Sequence, residues 1–170
     1  LMALPKVQAI AQSQQHYYLA SSGSTVSFAD GSGQGSFRMG LSCWLQNRFA
    51  GAALPSAEEA AGLLGDGCYR YCLALRDLLW YRENTRFGLP AVRSAFLPNA
   101  QWLLSCTPGL ALAAKAGHNG ESHNHNDCGS FILCKNGLPL LCDLGAGRYD
   151  AAYFGPRRYE IFVNASRSHN

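Results

Sequence analysis

Hydrophobic and polar residues follow two different periods along this chain, and the period changes near residue 90. In the first part, apolar residues recur every three to four positions, which is the spacing of amphipathic helices. The predicted helices span residues 5–20, 38–50, 56–64 and 69–82. A proline in the first turn supports the first of them, and a capping box, Ser56-x-x-Glu59, opens the third. Glycine- and serine-rich stretches within residues 21–36 predict loops.

From about residue 95 the apolar runs become short and are separated by Pro, Gly and Asn, which predicts an antiparallel sheet. The runs cover residues 95–98, 101–106, 110–114, 130–134 and 140–142. Asn136-Gly137 predicts a tight hairpin between the last two, because both residues tolerate positive φ. This hairpin would return Asp143 to the neighbourhood of His125. The predicted fold class is α+β, with residues 1–90 helical and residues 91–170 antiparallel β.

Residues 114–129 contain a dense group of side chains that could act as catalytic groups or metal ligands. They contain three of the five histidines, two carboxylates and several amides, a density that a packed core does not tolerate unpaired. If the segment were extended, His123, His125 and Asp127 would lie on one face and converge on one point. Imidazoles and a carboxylate are usual ligands of Zn²⁺, and Asp143 and His169 are further candidates downstream.

A simpler interpretation of the same stretch remains open. His123 and His125 would then be solvated loop histidines, and Asp127 would form a turn before the glycine that follows. A lone H-x-H pair is common, but here it stands among other ligand-type residues.

Three blocks of sequence resemble a known family. Residues 115–131 (KAGHNGESHNHNDCGSF), 135–149 (KNGLPLLCDLGAGRY) and 158–170 (RYEIFVNASRSHN) resemble, in order and spacing, the start of the C-terminal domain of heparinase II/III-like polysaccharide lyases. The resemblance implies that residues 1–90 are the last helices of an α/α toroid and that residues 91–170 begin a β-sandwich. It also implies an incomplete, inactive fragment, because the family's Asn/His pair and a toroid tyrosine lie further upstream than this chain extends.

The resemblance further implies a reaction and a set of site residues. Family members cleave uronic-acid-containing polysaccharides, such as heparin, heparan sulfate or alginate, by β-elimination. His123 matches the catalytic histidine, while His125, Asp143 and His169 match the ligands of a structural zinc ion. Some alginate-acting relatives use a tyrosine from the region that holds Tyr149, Tyr153 and Tyr159, and Tyr159 is the first of these to test as a catalytic residue. Asn119, Glu121 and Asn124 are expected to shape the loop.

Composition and net charge limit the classes of binding partner that fit this chain. The chain has 48% hydrophobic and 15% charged residues, which is typical of a globular protein. Its net charge of +3 is small and no basic cluster stands out beyond Arg157-Arg158, so a nucleic-acid partner is not indicated and the positive excess suits an anionic ligand. The resemblance implies that this ligand is an acidic polysaccharide or oligosaccharide. No apolar stretch predicts membrane insertion. Seven cysteines, most within apolar runs, favour free thiols and a reducing compartment, whereas the family's best-known members occupy the periplasm or cell envelope.

Two other functions fit part of the pattern. A metallo-hydrolase of the H-x-H-x-D-H type would carry a final histidine where this chain has Cys128. A non-catalytic carbohydrate-binding β-sandwich with a structural metal would use exposed aromatic side chains, here Trp102, Tyr149 and Tyr153, to stack against sugars. Elimination creates an unsaturated product that absorbs ultraviolet light, whereas a binding module creates none.

Overall fold

The computed structural model of the chain describes residues 3–20, 23–63, 65–66, 68 and 70–170. Three helices precede a five-stranded antiparallel sheet, so the predicted α+β class is confirmed. The elements are α1 (Pro5–Ser13), α2 (Met39–Arg48), α3 (Tyr71–Trp80), β1 (Arg93–Leu97), β2 (Trp102–Thr107), β3 (Leu110–Lys115), β4 (Phe131–Lys135) and β5 (Leu138–Leu141). Within the described ranges, no helix has both the length and the apolar character that crossing a membrane requires.

The helices are shorter than the sequence pattern predicts. After α1 the chain tightens into a 3₁₀ turn at Gln14–His16. The predicted helix over residues 56–64 is wrong, because only Ala57–Glu59 forms a 3₁₀ turn, capped by the Ser56 side chain. Ala60 is already extended and forms a parallel bridge with Phe37, which removes the following residues from a helical path. Leu64 and Tyr69, which bound two of the predicted helices, lie outside the described residues.

Helices α2 and α3 are joined by a buried carboxylate. Asp77 of α3 accepts a hydrogen bond of 2.8 Å from the backbone N–H of Gly40, in the first turn of α2. Its other oxygen forms an ion pair with Arg38, the residue before α2. The carboxylate therefore satisfies a free N–H at the start of α2 and ties the two helices together.

The sheet has the strand order β1-β2-β3-β4-β5, and every neighbouring pair is antiparallel. The predicted Asn136-Gly137 hairpin is confirmed, with φ of 51° and 79° at its two residues. Side chains on the inner face pack against residues from the loop between α1 and α2. This core consists of Leu19, Val26, Phe28, Leu104, Cys106, Ala111, Ala113, Ile132 and Cys134.

That packing places the loop between α1 and α2 beside the sheet. Its residues 23–37 run across the inner face and reach the β3–β4 connection, where the histidines lie. The outer face still exposes Phe96 and Leu103, and a second sheet over it is not among the described residues. The toroid and the sandwich therefore stay predictions.

Candidate functional site

The β3–β4 connection, residues 116–130, closes around a buried cation. Lys115, the last residue of β3, has its Nζ 2.6 Å from Asp127 Oδ1 and 3.1 Å from Glu121 Oε2. Asp127 is completely buried, and its second oxygen accepts a hydrogen bond of 2.8 Å from the backbone N–H of Ala29. Burial acts to lower the pKa of Lys115, but the contacts with Asp127 and Glu121 outweigh it and raise that pKa. The cation thus fixes both ends of the loop.

The predicted convergence of His123, His125 and Asp127 on one face is wrong. The segment consists of turns, and His123 has a φ of 59°, so side chains do not alternate as they would in a strand. His123 is exposed on the surface, whereas His125 is completely buried and Asp127 pairs with Lys115. Three neighbouring groups therefore have three separate environments.

His125 lies beside the other two predicted zinc ligands. His169 Nδ1 is 2.8 Å from Asp143 Oδ2, and both side chains are buried. The His125 and His169 ring centroids are 5.8 Å apart. As predicted from the β4–β5 hairpin, the chain returns Asp143 to this cluster, where Ser130 Oγ donates to the same Asp143 oxygen over 2.6 Å.

The cluster has the donor chemistry of a zinc site. His125 Nδ1 and His169 Nε2 are buried, and neither has a hydrogen-bond partner among the described residues. Burial, assisted by the charge of His169, lowers the pKa of His125 and favours the neutral imidazole that binds metals, although nearby carboxylates oppose the shift. Two imidazoles on one tetrahedral zinc have centroids roughly 5 Å apart, close to the observed spacing.

The other donor atoms of the cluster are nevertheless engaged in protein hydrogen bonds. His125 Nε2 lies 2.6 Å from the Tyr153 hydroxyl, and Asp143 Oδ1 accepts from the backbone N–H of Gly145 over 3.0 Å. Within the described part of the chain, no group of three or more His, Cys, Asp or Glu side chains is arranged as a metal-binding set. Zinc binding by His125, Asp143 and His169 therefore stays a prediction, one that their chemistry fits.

The exposed histidine belongs to a second group, with Asp30 and Tyr149. His123 Nδ1 lies 2.5 Å from Asp30 Oδ2, and the Tyr149 hydroxyl donates to the same oxygen. Burial acts to raise the pKa of Asp30, but the hydrogen bonds from Tyr149 and His123 lower it. The carboxylate in turn raises the pKa of Tyr149 to about 12, so this phenol stays protonated at neutral pH.

Sequence reasoning did not identify Asp30, because it lies 93 residues before His123 in a glycine-rich loop. The only local signal is the Asp30-Gly31 pair, which reads as an ordinary turn. Its proximity to His123 arises from the packing of that loop against the sheet.

Tyr159 occupies a different position from Tyr149. Its hydroxyl is 3.1 Å from Asn124 Nδ2, and the guanidinium carbon of Arg158 lies 5.1 Å from its ring centroid. Arg158 also donates a hydrogen bond of 2.6 Å to the Asn124 backbone oxygen. Asn124 is buried and its side chain donates to the Asn119 backbone oxygen, which confirms that these two residues shape the loop, as Glu121 does through Lys115.

The aromatic side chains expected to stack against sugars do not form a common surface. Trp102 packs edge-on against Tyr17 and Phe28, as part of the packing around the core. Tyr153 is 1% exposed, and only Tyr149 is open to solvent. The expectation of three exposed aromatics is therefore wrong for two of them, because these rings complete the packing around the sheet and the His125 cluster.

We compared the sequence with models of known protein families. Residues 94–170 match the family model "Heparinase II/III-like, C-terminal". The predicted resemblance is thus confirmed, and it points to a polysaccharide lyase family with a carbohydrate partner. The match contains His123, His125, Asp143 and His169, whereas Asp30 lies outside it. No curated protein is detectably similar to the chain.

Proposed function

We propose that this chain forms part of the active site of a polysaccharide lyase that cleaves uronic-acid-containing chains, heparin- or heparan-sulfate-like or alginate-like, by β-elimination. The observation that carries the proposal is the opposite placement of two histidines separated by one residue. His125 is completely buried beside Asp143 and His169, while His123 is exposed and held by a carboxylate. One histidine is thus suited to a structural role and the other to meeting a substrate.

The reaction requires one group that accepts a proton and one that donates a proton. A base removes the proton at C5, the C4–C5 double bond forms, the C4–O4 bond breaks and the leaving oxygen takes up a proton. His123 is suited to proton transfer, because histidine is the side chain that most often serves as a general acid or base and its Nδ1 is already engaged with Asp30. Tyr159 is the proposed partner tyrosine, and this residue is 37% exposed.

The buried cluster is proposed to hold zinc. His125, Asp143 and His169 would be its ligands, and the hydroxyls of Tyr153 and Ser130 would orient two of them. A bound zinc ion would supply folding free energy and fix the loop that presents His123.

The test is a pair of substitutions in the full-length protein that carries this chain. His125→Ala should lower zinc content and thermal stability together, because a metal that binds the native state stabilises it. His123→Ala should retain zinc and lower kcat by roughly 10²–10⁴-fold, the usual contribution of one general acid or base. Zinc is measured by elemental analysis, and turnover by the ultraviolet absorbance of the unsaturated product from heparan sulfate or alginate.

His118→Ala is the matched control, because His118 is exposed in the same loop and its Nδ1, among the residues that the structure describes, accepts a hydrogen bond from the backbone N–H of Gly120 alone. It should change neither zinc content nor kcat. Equal zinc loss in the His123 and His125 variants would make His123 a ligand. Absence of an unsaturated product with every uronate tested would reject the lyase.

A further inference from the structure

Asp30 joins two groups that can transfer protons. The same carboxylate oxygen, Oδ2, contacts His123 Nδ1 and the Tyr149 hydroxyl. His123 and Tyr149 are both largely exposed, while Asp30 is partly buried between them. Two surface side chains are therefore held by one carboxylate oxygen.

The turn that carries Asp30 is itself anchored to the sheet domain. The Ala29 backbone N–H donates to Asp127 Oδ2 over 2.8 Å, and the Ala146 N–H donates to the Gly31 backbone oxygen over 3.1 Å. These bonds hold the residues immediately before and after Asp30. The carboxylate position is thus determined by the segments that also carry the candidate site, although it comes from a distant part of the sequence.

A carboxylate in this position defines which histidine nitrogen is free. When Nδ1–H donates to a carboxylate, the neutral imidazole carries its lone pair on Nε2, which is then available as a proton acceptor. The same carboxylate oxygen accepts a hydrogen bond from the Tyr149 O–H and so fixes the direction of that hydroxyl. A proton acceptor and a proton donor are in this way placed on either side of one anion.

We propose that Asp30 is a positioning residue of the site, which fixes the tautomer and direction of His123 and holds Tyr149 beside it as a second candidate proton donor. The proposal rests on the proposed lyase function and extends it to the loop between α1 and α2, outside the matched family domain. Asp30 acts through His123 and Tyr149 and does not itself touch substrate.

The experiment compares Asp30→Asn and Asp30→Glu in the full-length protein. Asp30→Asn should lower kcat by roughly 10–100-fold, the loss typical of removing an outer hydrogen-bond partner, and leave KM within about threefold. Zinc content and thermal midpoint should stay unchanged, and Asp30→Glu should recover part of kcat. Glu160→Gln is the control, because this exposed carboxylate has the exposed Arg157 as its one ion-pair partner within the described part of the chain, and the substitution should change nothing.

The outcomes separate the two proposals. Retention of kcat within about twofold in Asp30→Asn, or loss of kcat together with zinc or thermal stability, would overturn the positioning role even if the wild type is a lyase. A wild type without unsaturated product rejects the lyase, and the contact is then tested alone by ¹⁵N spectra of the His123 imidazole. A shift from the Nδ1–H to the Nε2–H tautomer in Asp30→Asn supports the positioning role, and an unchanged tautomer rejects it.

Discussion

Replacing Lys115 by Met should open the β3–β4 connection. The Lys115 side chain is 1% exposed and that of Asp127 is completely buried, so the substitution leaves a carboxylate without its cation in a site that water does not reach. Removing one partner of a buried ion pair costs about 3–5 kcal/mol. Glu121, the second carboxylate, is partly exposed and can return to water, so we expect about 3–4 kcal/mol.

This loss of stability in the β3–β4 connection should be visible as faster hydrogen exchange of the backbone amides in that loop. The Gly129 N–H donates to the Lys115 backbone oxygen over 2.8 Å, and the Ser130 N–H donates to the Asp127 backbone oxygen over 3.0 Å. Local opening governs the exchange of such amides, and each 1.4 kcal/mol is a factor of ten, so exchange should accelerate on the order of 10²–10³-fold. Exchange followed by mass spectrometry on the full-length protein measures this directly.

Lys135→Met is the matched control, because Lys135 is exposed at the end of β4 and its removal leaves no buried charge. It should change exchange in the loop by less than about threefold. The double variant Lys115→Met, Asp127→Asn should exchange more slowly than Lys115→Met alone, because it removes the unpaired charge. Acceleration below about tenfold in Lys115→Met would refute the reasoning that this cation holds the loop closed.

Two further predictions concern the turn around Asp30. Gly145→Ala places a methyl group 2.4 Å from the Gly31 oxygen at a φ of +66°, so it should lower both the thermal midpoint and kcat. Gly129→Ala meets nothing within 4 Å at a φ of +92° and should lower only the midpoint; equal effects on kcat would contradict the argument. In Asp30→Asn, the pKa of Tyr149 should fall from about 12 towards about 10, measured by an ultraviolet titration against Tyr149→Phe. Because folding raises this pKa, protonated Tyr149 contributes its full stabilisation of the fold below pH ~10, and that contribution is lost as pH rises towards ~12. An unchanged Tyr149 titration in Asp30→Asn would mean that Asp30 does not cause the raised pKa.

The strands and their turn were predictable because they are encoded locally. Each of the five apolar runs became a strand within a few residues of its predicted bounds, and Asn136-Gly137 formed the hairpin that returns Asp143 to His169. Turn chemistry and strand length are properties of neighbouring residues, so a single sequence carries them.

The relation among His123, His125 and Asp127 was not predictable in the same way. Period-two alternation holds only in an extended chain, and the left-handed conformation at His123 breaks it. Nothing in the local sequence distinguishes the carboxylate that pairs with Lys115 from one that binds a metal, because both environments are buried and cationic. The distinction depends on which side chain the end of β3 directs into the loop.

The turn at residues 27–31 connects the two candidate centres, and this has a consequence for the role of zinc. Ser27 Oγ donates to the Asp143 backbone oxygen over 3.0 Å, while Asp30 holds His123. A displacement of Asp143 on metal loss would therefore reach Asp30 through a short hydrogen-bonded segment and alter the direction of His123. In this arrangement a zinc ion at the proposed site would affect turnover without meeting substrate, because it would maintain the geometry of the exposed histidine through the loop between α1 and α2.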